Sequence, residues 1–385
     1  MTRSPLHGVV ICLAVLSLGI GAMLLPANAG QSRASAGQEK PQSFEQLSRA
    51  AELARNQNHD DEAIGLYAQA LKLRPEWLEG LWYQGTLLYQ KENFGQAREV
   101  LRRFVALDPQ ASPGWVVLGM SEFQTREYSR SLDHLQRALS IGLGDRNDLA
   151  RSAQYFEAVI LTRFERYDDS MTVLGSLHRS GENPDLLIEP IGLAALRMPL
   201  LPSEIPADRR ELVRMAGQGS LTIESEHPDE TEKVFSEIVA RYPDEPGAHF
   251  LYGVFLMDVR PEEGIRQMKR ELEISPFHVG ARLRIAEEYI KESKFEDALQ
   301  LSEEAIKLEP NSAQAHMVLG ETLMGKGDAT RGITELEMAR KQSPDSLRTH
   351  WDLLQAYSSA GRKEDAKREK EEIEKLNRPE SPKEP

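Results

Sequence analysis

Nine histidines, one cysteine and 61 acidic side chains are the groups in this 385-residue chain that could ligate a metal, act as acid or base, or attack a substrate. Their spacing argues against most of those uses. The sequence has no His-Glu-x-x-His, no glycine-rich phosphate loop, no Gly-x-Ser-x-Gly and no Cys-x-x-Cys. The sole cysteine, Cys12, sits in an apolar run near the N-terminus, so the chain beyond it can form neither a disulfide nor a thiolate site. Glu303 and Glu304 are neighbours in sequence, and such neighbours on a helix do not face one another; they read as solvated surface. Three histidines, His249, His316 and His350, recur at one place in a repeating pattern. Equivalent places in stacked helix pairs are about 10 Å or more apart, too far to share a metal ion, which assigns the rings to packing at helix edges. No catalytic residue, metal or cofactor is expected. What remains is an apolar set of tryptophans, tyrosines, phenylalanines and methionines at helical spacing, whose chemistry is contact.

The elements that would position this set repeat. Pro75 and Pro109 are 34 residues apart, as are Pro310 and Pro344. Ahead of each proline a small, a large apolar and a small or aromatic residue keep fixed distances: Ala63, Tyr67 and Ala70; Ala97, Leu101 and Phe104; Gly332, Leu336 and Ala339. A second stretch precedes these helices, most legible as Trp115-x-x-Leu118-Gly119, with Gly85, Gly320 and Ala286 in the glycine slot elsewhere. Periods of this size mean stacked helical repeats. The joint pattern resembles the tetratricopeptide repeat family, and the resemblance implies an all-α fold, a right-handed superhelical solenoid of helix-turn-helix repeats. Units start near 44, 78, 112, 246, 279, 313 and 347, with divergent ones near 151 and 212. The slot held by Trp115 is Leu81, His249, Arg282, His316 or His350 in other units. A small residue in the glycine slot lets two helix axes approach closely, and stacking the amphipathic pairs buries one continuous apolar seam.

In that family the first helix of each pair lines the concave face through its second, fifth, ninth, twelfth and thirteenth positions. Carried onto this chain, those positions hold Trp82 and Tyr89; Val116, Met120 and Phe123; Tyr155 and Val159; Phe250, Val254 and Met257; Leu283 and Ile290; Met317 and Met324; and Trp351. The fifth and twelfth positions also meet the next repeat, which makes part of this set core. Each aromatic carries roughly 150–250 Å² of surface, so several left open would exceed the apolar patch of a few hundred Å² usual on a soluble monomer. Some grooves of the family hold an acidic C-terminal tail with lysines and asparagines. Here the matching positions are Glu45, Ser48, Glu52, Glu79, Trp82, Thr86, Pro113, Val116 and Met120, so that clamp is absent. With Glu45, Glu52, Glu79, Asp258, Glu287 and Glu321 nearby, an apolar or mildly basic peptide is the better match.

The termini and composition complete the reading. Arg3, an apolar run from Val9 to Leu25, Pro26 and Ala27-Asn28-Ala29 have the order of a secretory signal peptide at 1–29, cleaved after Ala29. The alternative is an uncleaved membrane anchor facing outside the cytoplasm. Residues 30–43 read as a flexible tether. Without 1–29 the chain carries 46 basic and 61 acidic residues, a net charge of −15. That excess repels phosphate backbones, so neither nucleic acid nor an anionic membrane surface is expected as partner. Five prolines between Gly181 and Pro206 interrupt the rhythm. They define a joint or decayed repeat at 185–211, between an N-terminal arm at 44–184 and a C-terminal arm at 212–376. The arm ends in a charged capping helix from Lys363 to Lys375, followed by a disordered tail at 377–385. The function expected is a periplasmic or secreted, non-enzymatic scaffold that binds peptide or helix segments of envelope proteins in an apolar groove. Its alternatives are a self-associating homo-oligomer, or an accessory subunit of an envelope enzyme or export machine.

Overall fold

Small residues set where each helix pair touches, and the protein is built from such pairs. The computed structural model describes residues 43–223 and 228–377. The expected signal segment, nearly all of the tether and nearly all of the tail lie outside those residues. The described residues are helical with short connections, without a strand, and fall into two compact units, one through Gly217 and one from Gln218.

In the first unit α1 (Phe44–Asn56) pairs with α2 (Asp60–Leu73), α3 (Leu78–Gln90) with α4 (Phe94–Leu107), α5 (Ser112–Gln124) with α6 (Tyr128–Ile141), and α7 (Asn147–Arg163) with α8 (Tyr167–Arg179). Then come α9 (Pro184–Ala195), a 3-10 turn (Pro202–Glu204) and α10 (Arg210–Leu221), within which the unit ends. The second unit continues with α11 (Pro228–Arg241) and the pairs α12 (Ala248–Val259) with α13 (Pro261–Ile274), α14 (Val279–Lys291) with α15 (Phe295–Leu308), α16 (Ala313–Gly325) with α17 (Ala329–Gln342), and α18 (Leu347–Ser359) with α19 (Lys363–Leu376). The proline-rich segment at 185–211 therefore holds nearly all of α9, the 3-10 turn and the start of α10, with Leu187, Ile188, Ile191 and Leu193 buried. A Cβ on Gly192 would fall on the carbonyl of Val213, and one on Gly217 on that of Ile188, so α9 and α10 cross backbone to backbone.

Within pairs the contact has a fixed reach. A Cβ on Gly85 would lie 2.7 Å from Leu101, one on Gly119 2.8 Å from Leu135, and one on Gly320 2.7 Å from Leu336, all closer than real contacts allow. In the Gly119 pair Ser131 Oγ also donates to the Gly119 carbonyl at 2.7 Å. Such contact leaves little room for the turn between the helices, and the chain reverses through a left-handed residue. Asn58, Glu92, Arg126, Ser293, Gly327 and Gly361 have φ between 58° and 85°. The following amide bonds back to the first helix, as Lys294 N does to the Tyr289 carbonyl at 2.8 Å, which closes a Schellman cap.

Between repeats the proline that ends one pair offers a carbonyl to the next. Trp115 Nε1 donates to Pro109 O at 3.0 Å, and Nε2 of His249, His316 and His350 donates to the carbonyls of Pro243, Pro310 and Pro344 at 3.0, 3.0 and 2.7 Å. Arg282 does the same for Pro276 at 2.7 Å. The slot that varies between tryptophan, histidine and arginine in sequence thus keeps one property, an N–H aimed at a proline carbonyl six residues earlier. Leu81 has no donor, and there Arg103 of α4 reaches the Pro75 carbonyl at 2.8 Å. The second ring nitrogen of His316 meets Glu335 at 2.7 Å and that of His350 meets Glu369 at 2.6 Å, each on the second helix of the same pair.

Two outcomes follow. An L residue held in the left-handed region costs about 1–2 kcal/mol, so Ser293→Gly should raise stability by about 0.5–1 kcal/mol after the entropy that glycine adds to the unfolded chain; urea unfolding followed by circular dichroism reads it. His316→Leu strips both partners from a buried ring and should cost about 1–3 kcal/mol by the same measurement.

Candidate interaction surface

The first helices carry the residues whose exposure decides what the protein can touch. In the first unit Trp82 packs on Phe104, with ring centroids 5.5 Å apart, and is 5% exposed. Val116 and Met120 are buried, and Phe123 lies between Tyr128 and Phe156 at 5.5 and 4.8 Å. Tyr89 and Tyr155 are half-buried, edge-on to Phe94 at 5.3 Å and Phe156 at 5.6 Å. Burial drives the Tyr89 hydroxyl above its usual range; burial, with Glu189 adding, raises that of Tyr155 to about 12. In the second unit Phe250 is half-buried against the His278 ring at 4.4 Å. Met257 is buried against Gly264, Leu283 is buried, and Met317 sulfur accepts the Thr349 hydroxyl at 3.8 Å. Met324 is half-buried over Gly332. Trp351 is 49% exposed.

The expectation of a continuous apolar inner surface is therefore corrected. Trp82, Val116, Met120, Phe123, Met257, Leu283 and Met317 are buried core; Tyr89, Tyr155, Phe250 and Met324 present part of their surface. The reason is a second contact. Successive first helices also touch one another, α3 with α5, α5 with α7, α14 with α16 and α16 with α18, and these positions fill that seam as well as the seam within each pair.

Of the fifteen expected contact residues Trp351 alone is well exposed, and the structure adds companions outside that set. Leu347, one turn earlier on α18, is 37% exposed, and Leu354 is half-buried one turn later. On the same helix Arg348 donates to Glu321 of α16 at 3.0 Å and to Glu287 of α14 at 3.1 Å, with Arg284 at 3.5 Å from Glu287. Arg348 occupies the second position of its repeat and Glu287 and Glu321 the ninth of theirs, both on the face implied by the family pattern; the signal for this network was positional and ionic. Among the described residues no group of three histidine, cysteine, aspartate or glutamate side chains could hold a metal. No described helix is long and apolar enough to cross a membrane.

Family models find repeats in the same helix pairs. Tetratricopeptide repeat models match residues 48–112, 83–145 and 289–346. A curated relative, the general transcriptional corepressor ssn6 of Schizosaccharomyces pombe, is 28% identical over 144 residues, which cover 36% of this chain and 13% of that protein. The chain therefore matches only about an eighth of its relative's length. Among solved structures, MamA residues 41 to the end from Desulfovibrio magneticus RS-1 is 20% identical, with a TM-score of 0.37 over 44% of this chain and 94% of that one. The P58(IPK) TPR domain is 13% identical, with a TM-score of 0.29 over 83% and 99%. Tetratricopeptide repeats thus occur in both compact units, at 48–145 and 289–346, and the described residues form an all-α repeat solenoid. Repeats of this family are protein-interaction scaffolds, in general without catalysis of their own.

Burial gives an immediate contrast. Trp82→Ala should cost about 3–5 kcal/mol of stability, whereas Trp351→Ala should stay within about 0.5 kcal/mol, both read by denaturant unfolding of the full chain.

Proposed function

We propose that this protein captures an apolar, mildly basic segment of another protein on the first-helix face of its second unit, with Trp351 as the anchor. The observation that carries the reading is the exposure of Trp351, 49%, beside Leu347 on α18. Tryptophan is enriched among the few residues that dominate binding energy. An amphipathic helix or extended peptide laid against α18 would cover the indole and meet the carboxylates of Glu287, Glu321 and Asp352 at its edge. Met324, half-buried, offers an adaptable contact. The proposed partner is a protein of the cell envelope, a choice supported by the export-type pattern of Arg3, Val9 to Leu25 and Ala27 to Ala29. The protein itself acts by binding and carries out no chemistry.

Crosslinked capture from the native envelope, comparing wild type with Trp351→Glu and with Phe277→Glu, tests this. Phe277 is 79% exposed on the connection between α13 and α14 and serves as an equally apolar control. Trp351→Glu should lower recovery of specific partners by at least about tenfold and Phe277→Glu should leave it intact. Undiminished recovery with Trp351→Glu would overturn the reading, and recovery of the protein's own chain alone would turn it into self-association.

A further inference from the structure

Three successive first helices of the second unit are joined by one set of charges. Arg348 of α18 holds Glu321 of α16 through Nε and Nη2, at 3.2 and 3.0 Å, and Glu287 of α14 through Nη1 at 3.1 Å. Asp352, one turn further along α18, faces Glu321 as well, and its Oδ2 is buried without a hydrogen-bond partner. The Glu321 and Glu287 side chains are 19% and 11% exposed, so water screens them little. Three carboxylates thus surround Arg348, with Arg284 on the far side of Glu287.

We propose that Glu321, Asp352, Arg348 and Glu287 form a proton-operated clasp, in which one proton held between Glu321 and Asp352 ties α16 to α18 and its loss slackens the last repeat. Burial pushes the Glu321 carboxyl up to about 7, Arg348 opposing and Asp352 reinforcing the shift. Burial also raises Asp352, while Glu321 and Arg348 draw it back down. Burial thus raises both carboxyls, and the proton belongs to the pair, bridging Glu321 and the otherwise unpartnered Asp352 Oδ2. With the proton in place the pair is a neutral-to-charged hydrogen bond. Without it two buried carboxylates repel across the α16–α18 contact.

Ion-paired groups of the packed elements have partners of their own, beginning with Glu288 and Lys291 on α14. On α15 and α17, Glu296 pairs with Lys326, Glu303 with Arg331, and Glu335 with His316. On α19, Glu369 pairs with His350 and Arg340. A carboxyl that binds its proton more tightly in the closed than in the opened state favours closure most at low pH. That advantage disappears as pH rises from about 4.5 to about 7 and is absent above it. The clasp needs no partner at Trp351, although Glu287, Glu321 and Asp352 also edge the proposed partner surface.

Hydrogen exchange by mass spectrometry on the full chain, corrected for the intrinsic pH dependence of exchange, reads the slackening. Protection of α18 in the wild type should fall about tenfold between pH 6 and pH 8.5, the part of the window remaining above pH 6 being about one pH unit, or a factor of ten. Glu321→Gln, which keeps the shape and a donor but cannot ionise, should remove that fall. His316 and His350 are unchanged in the variant, so the difference between the two proteins isolates Glu321. A wild type equally protected at both pH values, or a variant that keeps the fall, would overturn the proposal. So would a carbon-detected titration of the Glu321 carboxyl with its midpoint near 4.5.

Discussion

The close approach of the two helices in each pair is the constraint on which the other features depend. At Gly85, Gly119 and Gly320 there is no room for a Cβ, because a leucine of the second helix, Leu101, Leu135 or Leu336, occupies it. An axis separation set that tightly makes the connecting turn short. The short turn demands a left-handed residue, and the chain accepts one even where the residue is Glu92, Arg126 or Ser293. Once the pair is closed, its remaining apolar stripe has nowhere to go except the neighbouring pair. That is why Leu118, Leu135, Phe156 and Ile160 sit in one continuous core running across the units of the first arm.

Buried polar groups tie helices together within a pair and, through Arg102 and Arg340, between pairs. Glu271 is fully buried and accepts from the amides of Gly247 and Phe250 at 2.9 and 3.2 Å, capping the first turn of α12 from α13. Glu122 is equally buried and is held by Arg102 at 2.9 Å and His134 at 2.6 Å, from the helices on either side of α5. Glu369 meets His350 and Arg340 in the same manner. A carboxylate without those partners would be a buried charge at a cost of several kcal/mol, whereas an apolar contact would tolerate a neighbour of similar shape. These groups therefore select among otherwise similar pairs, a function that uniform leucine packing could not supply.

The period, the pair boundaries and the small-residue slots were legible because they are local. Each is a spacing of residue types within one repeat, and Gly119 or Pro310 means the same wherever it falls. The slot of Trp115 was legible as a position, but its rule was hidden, since tryptophan, histidine and arginine share an N–H rather than a shape. The contact surface was the least legible. Trp82 and Trp351 hold comparable places on first helices, yet one is sealed by Phe104 and the other open. What separates them is the partner helix and the repeat that follows: Trp82 has Phe104 of α4 over it and α5 packed on its helix, whereas Trp351 lies in the last described pair, whose second helix is the charged α19. Exposure in a stack of repeats is a property of neighbours, and no single repeat encodes it.

The same locality limits how such a protein can respond to anything. Each pair touches the next, so a change at one repeat dies out unless a side chain reaches beyond its neighbour. Arg98 to Glu127, Lys326 to Glu296 and Arg340 to Glu369 each span 29 or 30 residues, one repeat. Arg348 to Glu287 spans 61 and passes over the intervening repeat while gripping Glu321 on the way. A guanidinium suits this because its planar fork can serve two carboxylates at once, which an ammonium point charge does less well. The strain of any mismatch between the three helices is thereby gathered at one group. Whatever alters the charge around Arg348 acts on three repeats together, and Trp351 stands on the same helix as Arg348.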